Sequence, residues 1–246
     1  FLGTFLGDPS QIPAPALLYL AKQLKITNPH ASIKKYRTNK ERWKHTNLIE
    51  SQYGYQNFLT SFQTFRMIRW LYSLCWTGTE QLSLLFDRAT EWLMANKVLL
   101  PGPSVLERLI SRLRQRVNER IWKALTENLT PQHKKNLELL LIVEEGKKTS
   151  KLEQLRVGPT LKSTSEIIRF LARLETIREL DIRIPLTRIP PKGRILALAR
   201  FASTAKVTAI SRFTEQRRLA TLVAFVHTIE AKGQDDVLEL LEVILR

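Results

Sequence analysis

The sequence predicts an all-α protein: many helices, with helix-turn-helix-like modules, arranged in two helical subdomains. Three observations predict it. Apolar residues recur at i, i+3, i+4 and i+7 in nearly every segment. The segments carry helix punctuation: Ser or Thr followed three residues later by Glu, Pro in a first turn, Gly just past an end. No stretch sustains the period-two alternation of a strand.

Each element follows from that punctuation. Pro15 opens "PALLYLAKQL", expected to turn Leu17, Leu18 and Leu24 inward. "TNKERWKHTNLIESQYG" begins with a capping box, Thr38 with Glu41, and ends at Gly54. "SFQTFRMIRWLYSLCW" is dense in apolar residues and reads as a buried helix closing near Gly78. "TEQLSLLFDRATEWLMANK" is amphipathic, and "PGPS" after it is a hard break. Ser104 with Glu107 forms a second box, opening an arginine-rich helix that runs to about Asn128. Thr130 caps a helix with Pro131 at its first position. Ser150 with Glu153 opens a short helix after the polar linker "EEGKKTS". Ser163 or Ser165 caps "EIIRFLARLETIREL", and "IPLTRIPPKG" is a proline-rich turn. "RILALARFASTA" follows, then "TEQRRLATLVAFVHTIEA" capped by Thr214. Gly233 is expected to kink or end that helix, with Asp235 and Asp236 capping the last one. The boundary is placed after the arginine helix, dividing the chain into helical subdomains 1–128 and 129–246.

Charge narrows the function. The chain has 246 residues, with 39 Lys and Arg against 23 Asp and Glu, a formal charge of +16. Residues 1–123 hold 18 basic and 8 acidic side chains, and residues 124–246 hold 21 and 15, so neither half is merely a basic tail. Such a field favours polyanions. The single cysteine, Cys75, excludes a disulfide framework and reads as a buried apolar thiol. The longest uncharged apolar run, "LATLVAFVHTI", is about half of the ~20 residues that a spanning helix needs, so no membrane partner is expected. With no signal peptide and a start at Phe1, the chain reads as a cytoplasmic piece of something longer.

Two basic clusters stand out. In the arginine helix Leu106, Leu109, Ile110, Leu113, Val117 and Ile121 share one face, with Arg108, Arg112, Arg116, Arg120 and Lys123 along its flank. Spaced at roughly one turn, ~6 Å, these donors can reach several phosphates, and Arg can pair bidentately with guanine. If the preceding helix and this one form a helix-turn-helix-like unit, Ser104, Arg108 and Arg112 are the base readers. Solvated, snorkelling arginines are the plainer alternative. The second cluster, "IKKYRTNKERWKH", offers Lys34, Lys35, Arg37, Lys40, Arg42 and Lys44 for phosphates, with Tyr36 and Trp43 read as core. Lys192 and Arg194 in "PPKGR", and Arg217 and Arg218 in "EQRR", lie at helix starts where a bound anion would be favoured. Catalytic and cofactor motifs are missing: no HExxH, CxxC, Walker loop or GxGxxG, and His30, His45, His133 and His227 are far apart. No cofactor or metal is expected. A nuclease in its own right would need carboxylates converging from distant segments.

The ordered series "FLGTFLGDPSQIP", "YLAKQLKI", "ESQYGYQNF", "LYSLCW", "LFDRATEWLMANKVLLPGPSVLERLI" and "RRLATLVAFVHTIEAKGQDDVLELLEVIL" resembles the N-terminal part of Tn-three-family transposases. These are the bacterial proteins of replicative, cointegrate-forming transposition. The resemblance implies a helical segment that binds double-stranded DNA at the terminal inverted repeats through helix-turn-helix-like modules. It also implies that the catalytic acidic triad, on an RNase H-like domain, lies beyond this segment, which is then not an enzyme by itself. The alternatives are a helical module that assembles transposase protomers, through Leu238, Leu241, Ile244 and Leu245 of the last helix, or a truncated, non-functional remnant.

Overall fold

The computed structural model describes residues 12–35, 39–158, 164–182 and 189–245. Among the described residues the chain forms twelve α-helices and a single isolated β-bridge, and the fold is all-α. By its contacts the chain divides into two compact units, residues 1–73 with 80–113, and residues 74–79 with 114–246. The division falls inside helices rather than in loops.

The first unit contains α1 (Ala14–Gln23), α2 (Pro29–Lys35), α3 (Asn39–Tyr53), most of α4 (Phe62–Thr77), α5 (Leu82–Ala95) and the start of α6 (Pro103–Thr126). Proline begins α1 as expected, but Leu18 and Leu24 are exposed and Ala21 is its buried residue. The helix turns a small side chain inward, keeps Leu17 partly covered and leaves Leu18, Leu20 and Leu24 outside. Thr38 of the expected capping box lies outside the described residues; Gly54, at φ +68°, stops α3 in the left-handed conformation that glycine adopts without a Cβ penalty. The core takes Met67 and Leu71 from α4, Leu85, Ala89 and Leu93 from α5, and Leu106 and Ile110 from α6.

The link from α5 to α6 is part of that core. Lys97, at φ 52°, ends α5, and the Val98 N–H reaches back to the Leu93 carbonyl at 2.9 Å. That six-to-one bond satisfies an orphan carbonyl of the last turn, and Val98 and Leu93 are both fully buried beside it. Gln56 then pairs with this link, donating to Lys97 O at 2.8 Å and accepting from Leu99 N at 2.9 Å.

The second unit holds the rest of α6, α7 (Pro131–Leu139), α8 (Lys151–Arg156), α9 (Thr164–Arg178), α10 (Lys192–Thr204), α11 (Val207–Ser211) and α12 (Glu215–Leu245). Two starts match their sequence signals. The Thr130 hydroxyl caps α7, with His133 completing the box, and Ser150 with Glu153 does the same for α8. Ser163 lies outside the described residues, and Ser165 is already inside α9. The organising element is α12, which packs against α7, α9 and α10. Leu219 through Val226 are buried without interruption, so the apolar run of the sequence is a helix surrounded by protein.

Gly233 does not end this helix, which runs on to Leu245, and Asp235 and Asp236 are mid-helix residues rather than caps. The reason is a neighbour. A Cβ built on Gly233 would stand 2.7 Å from Leu174 Cδ2 of α9, inside van der Waals contact. Glycine serves close packing here, beside a small cluster of Phe170, Leu174 and Val237.

Candidate nucleic-acid interface

The 24 residues of α6 make a rod of ~36 Å. Pro103 occupies its first position, where a missing N–H costs nothing, and the Gly102 carbonyl accepts from the N–H groups of Val105 and Leu106. Ser104 therefore sits within the first turn and is not the cap that the Ser–Glu spacing suggested. It remains exposed, and its carbonyl accepts from Arg108 Nε at 3.1 Å. Leu106, Ile110, Val117 and Ile121 are buried, while Leu109 and Leu113 are partly covered. One apolar face is thus locked into protein, which fixes the direction of the other.

That other face carries Arg108, Arg112, Arg116 and Arg120, all exposed. Among the described residues Arg112 and Arg116 have no hydrogen-bonding or ionic partner. The carboxylates of the same helix do not neutralise them: Glu119 accepts from the Gln115 amide at 2.7 Å instead. Arg120 is held. Its guanidinium lies 5.3 Å from the ring centroid of Trp76, beside a cavity of 410 Å³ also lined by Lys123 and Glu127. Arg108 and Arg112 fall in the first compact unit, Arg116 and Arg120 in the second.

Of the second cluster, Lys34 and Lys35 end α2, Lys40, Arg42 and Lys44 lie early in α3, and Lys44 is exposed. Arg37 and Tyr36 lie outside the described residues, as do the side chains of Lys34, Lys35, Lys40, Arg42 and Trp43.

The other arginines expected at helix starts are engaged within the fold. Arg194 donates Nη1 to the Gly78 carbonyl at 2.8 Å, just past the end of α4, and Nη2 to Asn118 Oδ1. Arg218 grips Glu138 through Nε at 2.8 Å and Nη2 at 2.7 Å, and donates Nη1 to Phe213 O at 2.9 Å. Arg217 lies 3.6 Å from the Phe213 ring centroid and 5.7 Å from that of Trp122. All three guanidiniums thus have contacts within the fold. Two more arginines that the sequence did not single out act likewise. Arg156 donates to Ala205 O, at the end of α10, at 2.8 Å, and Arg173 donates to Leu155 O and Val157 O, at the end of α8. Burial pulls the pKa values of Arg156, Arg173, Arg194 and Arg217 below the ordinary arginine range.

Cys75 is buried and in no disulfide. Among the described residues no group of three or more His, Cys, Asp and Glu side chains gathers as a metal site, and no helix is long and apolar enough to cross a membrane.

Residues 1–113 match a family described as Domain of unknown function (DUF4158). The chain is 37% identical over its whole length to the transposase for transposon gamma-delta of Escherichia coli (strain K12), of which it spans 24%. It is 31% identical over 99% of its length to the transposase for transposon Tn501 of Pseudomonas aeruginosa, again 24% of that protein. With the transposase for transposon Tn21 of Escherichia coli the identity is 28% over the full chain. The match falls on the N-terminal part of these proteins, about a quarter of their length.

Proposed function

The chain belongs to the Tn-three family of transposases and corresponds to the N-terminal region of its relatives, and from that premise we propose that it binds double-stranded DNA at the transposon's terminal inverted repeats. The observation that carries this reading is the row on α6: exposed arginines along the flank of a locked core, two of them without a partner among the described residues. In this reading Arg116 and Arg120 hold phosphates together with Lys34, Lys35, Arg37, Lys40, Arg42 and Lys44. Ser104 and Arg108, near the start of α6, reach base edges with Arg112. Cleavage and strand transfer belong to parts of the relatives outside this chain, and the work is done in the bacterial cytoplasm.

The test is a salt titration of binding to a terminal-repeat duplex and to a scrambled one. Each phosphate neutralised contributes about 0.9 to the slope of log K against log salt. A steep slope, with preference for the terminal repeat, supports the reading. A flat salt response overturns it. A role in protomer assembly has its own supporting observation, since Leu238 is 65% and Leu241 39% exposed near the end of α12. Sizing of the chain with and without duplex separates the two roles.

A further inference from the structure

We propose that the outward face of α4 is a second DNA contact, in which Arg66 and Arg69 hold phosphates while Phe62 and Phe65 press as an apolar wedge against an opened base step. This rests on the DNA-binding reading above and adds how the duplex is deformed. Positions 62, 65, 66 and 69 share one side of α4 by the i, i+3, i+4, i+7 rule. Met67, Leu71 and Cys75 are buried on the other side. Phe62 is 70% and Phe65 54% exposed, with ring centroids 6.3 Å apart, and Leu59, just before the helix, is 85% exposed. One exposed apolar residue is ordinary, but three bulky ones beside two cations mark a contact surface.

The wedge stands on a stiff frame. Asn57 Oδ1 accepts from the Leu59 N–H at 2.9 Å, and Ser61 Oγ accepts from the Gln63 N–H at 3.1 Å, capping α4. The rings are thus presented without a large ordering cost on binding.

Charge decides the occupant. Residues 51–79 contain no Asp or Glu. Arg66 and Arg69 are exposed and have no ionic or hydrogen-bonding partner among the described residues. A second copy of this chain, itself at +16, is repelled by such a surface. A duplex supplies both things the face asks for: phosphates for the guanidiniums, and flat apolar base surface wherever a step opens. Phe is among the side chains that proteins insert between base steps.

The experiment uses the whole chain and a terminal-repeat duplex carrying 2-aminopurine at successive positions, whose fluorescence rises on unstacking. The parent is compared with Phe62→Ala/Phe65→Ala and with Arg66→Ala/Arg69→Ala, each checked for an unchanged circular dichroism melt. We expect the parent to raise fluorescence at one or two adjacent positions. The phenylalanine pair should lose that signal and bind about tenfold more weakly. The arginine pair should lower the salt slope by about two. If the parent binds but unstacks nothing, or both variants behave as the parent does, the wedge is refuted and end binding stands. If the parent binds no duplex, both readings fall. If the phenylalanine pair changes only self-association, the face is a protein contact and the proposal is overturned.

Discussion

Arginine is used in opposite ways in two regions of this chain. On α6, Arg112 and Arg116 are exposed and without partners among the described residues, on a helix whose Glu119 pairs with Gln115 instead. In the second unit, Arg156, Arg173, Arg194 and Arg218 reach carbonyls at the ends of other helices. The last turn of a helix leaves orphan carbonyls and a partial negative charge, and a guanidinium answers both. Excess positive charge is therefore not a direct measure of nucleic-acid surface. Part of the +16 is structural mortar, and only the remainder is available to a polyanion.

The sharpest way to break the comparison is Arg194→Ala. It strands the Gly78 carbonyl and Asn118, and should cost about 2–3 kcal/mol of stability by urea denaturation. DNA affinity of the folded protein should not change. If stability is untouched, the mortar role is wrong. Next comes Arg112→Ala/Arg116→Ala, expected to leave stability within about 0.5 kcal/mol while weakening DNA binding and lowering its salt slope by about one, the share of Arg116. A large drop in melting temperature would place these arginines with the structural set. Arg108→Ala distinguishes readers from holders: it should cost about 1–3 kcal/mol and relax preference at one base position. Uniform weakening across sequences would make Arg108 a phosphate contact.

The smallest effect is acid-dependent. Hydrogen bonds from Lys147 and then Lys151 hold the Glu144 carboxyl at about 2, below the ordinary 4.5. A folded pKa below the unfolded one means stabilisation that is present above pH 4.5 and lost as pH falls toward 2. Glu153, held low by the Ser150 N–H, has the same sign. Melting temperatures of Glu144→Gln should lie slightly below the parent's near neutrality, and the two should converge as pH falls through that acid window. Equal acid slopes would show that the lysines contribute nothing.

What could be read from the letters was local. The Thr130 and Ser150 caps were legible because a hydroxyl and a backbone N–H three residues apart settle them. The apolar face of α6 was legible from its period, although Pro103 moved the start so that Ser104 is no cap. What failed was long-range. Nothing near Gly233 announces Leu174. Arg194 meets partners 116 and 76 residues away, so its structural contacts were invisible. The outward phenylalanines of α4 were hidden by an overall apolar composition. The missing signal was there: a face of Phe, Phe, Arg and Arg in a stretch devoid of acid.

The absent side chain at Gly233 also leaves a trace that relatives can reveal. The two positions, 59 apart in sequence, share one allotment of volume, so they should vary together. A homologue that grows a methyl at the first is expected to have trimmed the second, and an engineered Gly233→Ala should regain what it lost when joined to Leu174→Val. Inheritance would then record, as a paired substitution, a contact that no local pattern spells out.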